Sequence, residues 1–320
     1  QSVSVLTAEG RGFYSKVVPA MGADLMDSTC TFCGQCAVVC PTAAIMEKDD
    51  VDLVWEALDN KKKHVIIQEA PAVRAQLGEF FGLPAGTLVT GKMIAALRKL
   101  GFDKVFDTNF AADVTIMEEG TELLHRLKTG GTLPMITSCS PGWIKFIEHS
   151  YSHLLGHLSS CKSPQQMFGA LAKTYYAEKS GIDPKNIFVV SIMPCTAKKF
   201  EASRPEMNDS GYRDVDAVLT TRELARMIRQ AGIDFSALPD EDYDAPMGQY
   251  TGAATIFGAT GGVMEAAVRT VYSIVVGKDM PDLNLKEVRG LEGIKDATLN
   301  VEGFGEVRVA VAHGLNNARK

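Results

Sequence analysis

Cys30, Cys33, Cys36 and Cys40 lie in the run CTFCGQCAVVCP, a C-x2-C-x2-C-x3-C-P spacing of the kind that wraps a 4Fe-4S cluster. Three thiolates this closely spaced face one corner of an iron-sulfur cube from a single tight loop, while the x3-C-P step turns the fourth away. A chain with such a loop folds locally around metal and handles electrons. A zinc knuckle pairs two C-x2-C units across a longer gap, and a structural disulfide cluster needs no such register. In two-cluster domains the fourth cysteine ligates the other cluster, which calls for a second, similar run. The remaining cysteines, Cys139, Cys161 and Cys195, are isolated and form no such run. The first residue is Gln rather than Met, so the run reads as half of a domain whose other half lies upstream. Residues 42–47 (TAAIME) are expected to start the helix after the cluster loop.

Beyond residue 61 the pattern changes. HVIIQEA, KVFDT, LPMITSC, NIFVVSIMPC and DAVLTT read as buried strands, separated by helical segments such as GKMIAALRKLG, a helix near Thr115 to Lys128 and ELARMIRQAG. This is the βαβ rhythm of a parallel sheet covered by helices. Chemistry in such sheets gathers beyond the carboxyl ends of strands, which is where Ala70-Pro71-Ala72, Cys139 and Cys195 fall. Thr220 and Glu223 have capping-box spacing and are expected to start the helix ELARMIRQAG. With 46% apolar and 22% charged residues the chain is an ordinary globular one. No apolar run approaches the ~20 residues that span a bilayer, and no secretion signal opens the sequence. Together with clustered thiols suited to a reducing compartment, this points to the cytoplasm and to no membrane insertion. A net charge of −6 argues against nucleic acid as a partner.

The strings TSCSPGW (137–143) and MPCTAKKFE (193–201) resemble the first two signature motifs of the iron-only (FeFe) hydrogenases. FGATGGVMEAAVRT (257–270) and IMEEGTELLHR (116–126) are similar to further stretches of that family, and the cysteine-rich start resembles its accessory cluster domain. The likeness covers the whole chain in one order. It implies an α/β fold: a two-lobed hydrogenase domain with parallel sheets flanked by helices over 61–320, preceded by a partial ferredoxin-like α+β 4Fe-4S domain over 1–48. It also implies an H-cluster, a 4Fe-4S cube joined to a two-iron unit carrying CO, cyanide and azadithiolate. The activity implied is the interconversion of protons, electrons and H2 in anaerobic metabolism. Ferredoxin or NADH-dehydrogenase-like subunits would be the electron partners.

Residue by residue, the resemblance makes Cys195 a cubane ligand, Met193 a thioether lining the two-iron unit, and Lys198 the ammonium paired with a cyanide. Gln165 and Phe257 match residues that close around the CO ligands. Ala70, Pro71 and Ala72 match the backbone segment near one cyanide, with Ala72 where the family often has serine. Glu119, Glu122, Arg126 and Ser159 match its proton relay. The first three are spaced three and four apart, so they form one polar stripe on a helix; outside this context such a stripe is an ordinary solvated face with a Glu-Arg pair.

The first signature departs from the family form, which has two adjacent cysteines where this chain has Cys139-Ser140. By position Ser140 falls on the cubane ligand and Cys139 on the proton-transfer thiol. A serine alkoxide is a harder, more basic iron ligand than a thiolate. The alternative is that the loop shifts to let Cys139 ligate, leaving Cys161 in SSCKSPQQ as a candidate for the thiol role or as a small buried hydrophobe. The third signature, with the last two cysteines, is expected after the strand VRVAVAHGL, but no Cys follows Cys195 before Lys320. The sequence as written therefore lacks ligands for a complete H-cluster, and the function read is that of the full-length parent. His149, His153 and His157 recur every four residues, yet along one helix they would span about 12 Å, too far for one ion; a surface face is expected. A hydrogenase-like H2 sensor or an iron-sulfur assembly factor are the rival readings. Met193, Lys198, Glu119 and Glu122 argue for catalysis over both.

Overall fold

The computed structural model describes residues 1–280, 286–288, 291–301 and 305–320. They form two compact units that each draw on separate stretches of chain. One comprises Gln1–Cys33, Met117–Cys161 and Ala259–Lys320, the other Gly34–Ile116 and Lys162–Gly258.

The first unit opens with an antiparallel pair, β1 (Leu6–Glu9) and β2 (Lys16–Pro19). The second unit is built on a four-stranded parallel sheet of β3 (His64–Glu69), β4 (Lys104–Asp107), β5 (Ile187–Ile192) and β6 (Ala217–Leu219), in the order β4-β3-β5-β6. A strand covered on both faces needs apolar residues at consecutive positions, and HVIIQE and IFVVSI supply them. Successive side chains then enter opposite layers. Ile67 joins Val54, Met93, Leu97, Leu224 and Ile228, residues of the helices Val51–Asp59, Thr90–Leu100 and Thr221–Gln230, in one core. Ile66 joins Phe106, Phe168, Val189 and Met193 in the other.

The sheet order places the two inner strands at a reversal point, since β4 follows β3 on one side and β6 follows β5 on the other. Open α/β sheets present a crevice at the carboxyl ends of such strands. Ala70, just past β3, donates its N–H to Ile192 O at 2.9 Å, and Met193, just past β5, donates to Leu219 O at 2.8 Å.

The expected capping box is formed: Thr220 Oγ1 accepts from Glu223 N, and Glu223 accepts from Thr220 N at 2.6 Å. Thr220→Ala is expected to lower the unfolding free energy by about 1 kcal/mol, read as a reduced urea midpoint, with Thr220→Ser recovering most of it.

In the first unit, the helix Pro141–Ser150 buries Phe146 and Ile147, and Gly262–Val276 buries Ala266, Ala267, Val268 and Val271. Gly120 lies so close to this second helix that a Cβ would sit 3.3 Å from Val271. A three-stranded antiparallel sheet, β7 (Lys286–Glu287), β8 (Ile294–Val301) and β9 (Gly305–Ala312), completes it. Among the described residues no helix is long and apolar enough to cross a membrane.

Four expectations need correction. LPMITSC is not a strand; Pro134 removes a ladder donor, and only Ile136 makes a single parallel bridge, to Leu158. Residues 42–47 do not form a helix: Ala43 takes a positive φ of 53°, outside the right-handed helical region, and the Thr42 hydroxyl lies 3.6 Å from the Cys40 sulfur. The described residues contain one parallel sheet rather than several. The three histidines do not share one helix: His149 ends Pro141–Ser150, while His153 and His157 belong to the 3-10 turn Ser152–His157.

Candidate active site

The reversal point of the parallel sheet carries the second unit's share of the expected residues. Met193 is buried, and Cys195 is half-buried in the turn after it. The chain then enters the helix Ala197–Ser203, which sets Lys198 and Glu201 one turn apart. Lys198 Nζ lies 3.0 Å from Glu201 Oε2 and 3.3 Å from Oε1. Gln165, in the first turn of Pro164–Leu171, is also brought here: its Nε2 donates to Glu201 Oε2 at 3.0 Å and to Lys198 O at 3.2 Å. Its backbone O accepts from the buried Gln68 Nε2 at 2.9 Å. Gln165 Oε1 is buried with no protein partner, an acceptor or dipole held out of water, which costs free energy unless something else meets it. Pro71 and Ala72 are exposed at the end of β3, and Phe257 is half-buried in the 3-10 turn Ala254–Gly258.

The first unit carries the proposed relay, and here the structure adds contacts that separate two carboxylates only three residues apart. Glu122 is pinned. It accepts from Arg126 Nη2 at 2.6 Å and Nε at 3.1 Å, from Ser159 Oγ at 2.9 Å and from Ser160 N at 3.0 Å. Partial burial works against its charge, but Ser159, Arg126 and Ser160 outweigh it and hold the carboxyl below its usual range. Arg126 is itself fixed by Leu158 O at 2.7 Å. Glu119 is fully buried, and neither of its oxygens reaches hydrogen-bond geometry with a neighbour. Burial chiefly, and then the Glu122 charge, push its pKa up to about 7, although Ser159 and the Ser138 backbone lie near enough to oppose the shift. One acid is fixed as an anion while its neighbour is poised to hold or release a proton near neutrality, the separation that acid-base chemistry uses.

Cys161 stands beside this pair, with Sγ 3.7 Å from Glu122 Oε2 and its N–H donating to Ser159 Oγ at 3.2 Å. Burial, then the nearby carboxylates Glu119, Glu122 and Glu118, push its thiol up to about 11. It is a protonated thiol at neutral pH. Ser138 Oγ donates to Cys161 O at 2.7 Å, tying this turn to the TSCSPGW loop. In that loop Cys139 is half-buried and Ser140 is exposed at the start of Pro141–Ser150.

The cysteine loop is prepared for bound sulfur. Phe32 N donates to Cys30 Sγ at 3.4 Å, and Gly34 takes φ 77° ahead of the short helix Gln35–Val39, a conformation a side chain resists. Hydrogen bonds from Ile45 N, the Thr42 hydroxyl and Thr42 N draw the Cys40 thiol down to about 7, favouring the thiolate that binds iron. Lys145 Nζ holds the preceding turn through Met26 O at 3.0 Å and Ser28 O at 2.9 Å. Among the described residues no three His, Cys, Asp or Glu side chains converge on a single-ion site.

Two participants were not singled out from the sequence. Glu201 was quoted in its motif without a role, and its i,i+3 spacing from Lys198 was the available signal. Ser160 contributes through its backbone N–H, which no sequence pattern reveals.

Comparison with known proteins bears on the whole of this arrangement. Residues 63–320 match the iron only hydrogenase large subunit, C-terminal domain, and residues 25–46 match a 4Fe-4S binding domain. The chain is 55% identical over 326 aligned residues to the NADP-reducing hydrogenase subunit HndD of Solidesulfovibrio fructosivorans, an alignment covering 100% of this chain and 56% of that protein. It is 56% identical to the periplasmic [Fe] hydrogenase large subunit of Nitratidesulfovibrio vulgaris, covering 92% and 78%. The fold resembles that of apo [FeFe]-hydrogenase HydA1 from Chlamydomonas reinhardtii, with a TM-score of 0.75, 44% identity, and coverage of 85% of this chain and 77% of that one.

Proposed function

Because this chain belongs to the iron-only hydrogenase family, we propose that the protein catalyses the reversible oxidation of H2 and reduction of protons. The family's cofactors are 4Fe-4S clusters and the H-cluster. The fit is supported by the prepared Cys30–Cys40 sulfurs, the half-buried Cys195, the ammonium of Lys198 and the unpaired buried Gln165 oxygen. Ser140 is the departure, since it offers oxygen where the family offers sulfur. When bound, the H-cluster supplies the redox-active iron at which protons and electrons meet.

The chain's own residues supply the rest. The single observation carrying the reading is the convergence of Arg126, Ser159 and Ser160 on Glu122 beside a buried Glu119 that makes no such hydrogen bonds. Glu122, held as an anion by Arg126, orients the Ser159 hydroxyl. Glu119, neutral up to about pH 7, stores the proton. Lys198 and the Ala70-Pro71-Ala72 backbone are assigned to the cyanide ligands, Gln165 and Phe257 to the CO ligands, and Met193 to the lining of the two-iron unit. Cys30, Cys33, Cys36, Cys40 and Cys195 are assigned to iron. For the altered motif, Cys139 is assigned as ligand and Cys161, already within reach of Glu122, as the thiol that passes protons.

Residues 1–48 are assigned to the ferredoxin-like part and 61–320 to the hydrogenase domain. Electrons are proposed to pass through 4Fe-4S clusters to ferredoxin or to an NADH-linked partner; a relative named as an NADP-reducing subunit supports the nicotinamide branch. Clustered thiols suited to a reducing compartment support a cytoplasmic location, while one relative is named as periplasmic.

The test is direct. Full-length protein matured with its two-iron unit should evolve H2 from a reduced carrier and show CO and cyanide stretches in the infrared. Cubanes without those bands, after competent maturation, would refute the assignment.

A further inference from the structure

Resting on that reading, we infer that Glu201 is the positioning residue that sets Lys198 for a cyanide ligand and Gln165 for a CO ligand of the cluster. Glu201 is 4% exposed, and its Oε2 accepts from three donors: Ser163 Oγ at 2.8 Å, Gln165 Nε2 at 3.0 Å and Lys198 Nζ at 3.0 Å. Two of these belong to the start of the helix Pro164–Leu171, with Ser163 as its N-cap, and the third to the helix Ala197–Ser203. One carboxylate therefore joins two helix starts, and the residues it grips are those matched to cyanide and CO contacts. The backbone of Gln165 is fixed independently, through its O and Gln68, so rotation of the amide is set by Glu201 Oε2 together with the Lys198 carbonyl, which also accepts from Nε2.

An ammonium that is to pair with a small anion must be dry yet not attach to whatever carboxylate is nearest. A charge-assisted bond to a fixed acid holds it at a set place and offsets the cost of burying it. Glu201 also partly neutralises Lys198, so the pull of this cation on a bound cyanide is weaker than that of an unpaired lysine.

The variant Glu201→Gln keeps the shape and removes the charge. In full-length protein carrying its cubane but not yet the two-iron unit, a crystal structure should show Lys198 Nζ displaced from its present position. Uptake of a synthetic two-iron complex should slow at least tenfold, and the cyanide stretches of the loaded protein should shift by more than their linewidth with the CO bands moving less. Should Glu201→Gln fail to fold, Glu201→Asp, whose shorter arm cannot hold Ser163 and Lys198 together, is read the same way. An unmoved Lys198 with native uptake and native cyanide bands overturns the inference. Wild-type protein without CO and cyanide bands would instead refute the H-cluster reading, and the position of Lys198 in the unloaded variant would still decide the role of Glu201.

Discussion

Glu119→Gln in the full-length protein should leave the cluster spectra intact, reduce turnover by roughly 10²–10⁴-fold, and make the protein more stable above neutral pH. The two effects have one origin. Burial, with the Glu122 charge behind it, raises the Glu119 pKa from 4.5 to about 7. Between those values the native state holds a proton that the unfolded chain has released, so stability falls as pH rises through this window. Above about pH 7 the full penalty applies, roughly 3 kcal/mol for a shift of this size. Gln carries no charge to desolvate. Its gain in stability should therefore be present at pH 8, absent at pH 4, and read from denaturant midpoints at the two values. Glu122→Gln should also cut turnover but do the opposite to stability. Its carboxyl is held below the usual range despite the opposing effect of burial, by Ser159, Arg126 and Ser160; it stabilises the native state above the unfolded pKa, and this is lost as pH falls through the native value. Equal stability profiles for the two variants would show that the carboxylates are not divided in role.

Cys139→Ala should abolish the cubane of the H-cluster, seen as loss of its electron paramagnetic resonance signal, while Cys161→Ala should keep that signal and slow turnover by orders of magnitude. The argument sets sulfur against position. A cube prefers thiolate to the harder alkoxide of Ser140, and Cys161 stands where a proton-passing thiol must stand, its sulfur 3.7 Å from Glu122 and its N–H on Ser159. Retention of the full cluster signal in Cys139→Ala would make Ser140 the ligand and Cys139 the proton-transfer thiol. Native turnover in Cys161→Ala would reduce that residue to packing. Ser140→Cys restores the commoner form and gives the reference potential against which either outcome is measured.

Part of the proposed site could be read before any fold was known because its parts are local. The cysteine loop is a spacing, and the strand ends at Ala70 and Cys195 follow from runs of consecutive apolar residues, whereas the Glu119, Glu122 and Arg126 stripe is proposed as a relay only on the family resemblance, since its spacing alone reads as a solvated face. Where local reading failed, the backbone decided. The helix expected over 42–47 gave way where Ala43 takes a positive φ, and LPMITSC lost its ladder at Pro134.

By itself, then, the sequence determined the iron-sulfur spacing of Cys30 to Cys40 and the buried strands HVIIQEA, KVFDT, NIFVVSIMPC and DAVLTT, since each depends on neighbours a few positions away, and it nominated the relay residues only through resemblance to a family. Tertiary structure alone decided how those residues differ. Glu119 and Glu122 look interchangeable along the chain, yet one is desolvated without a partner and the other is held by a serine turn 37 residues downstream. Glu201 became a hub only when the start of a helix 36 residues earlier in the chain came to rest against it. Desolvation and hydrogen-bond convergence are properties of packing, and no spacing in a sequence encodes them.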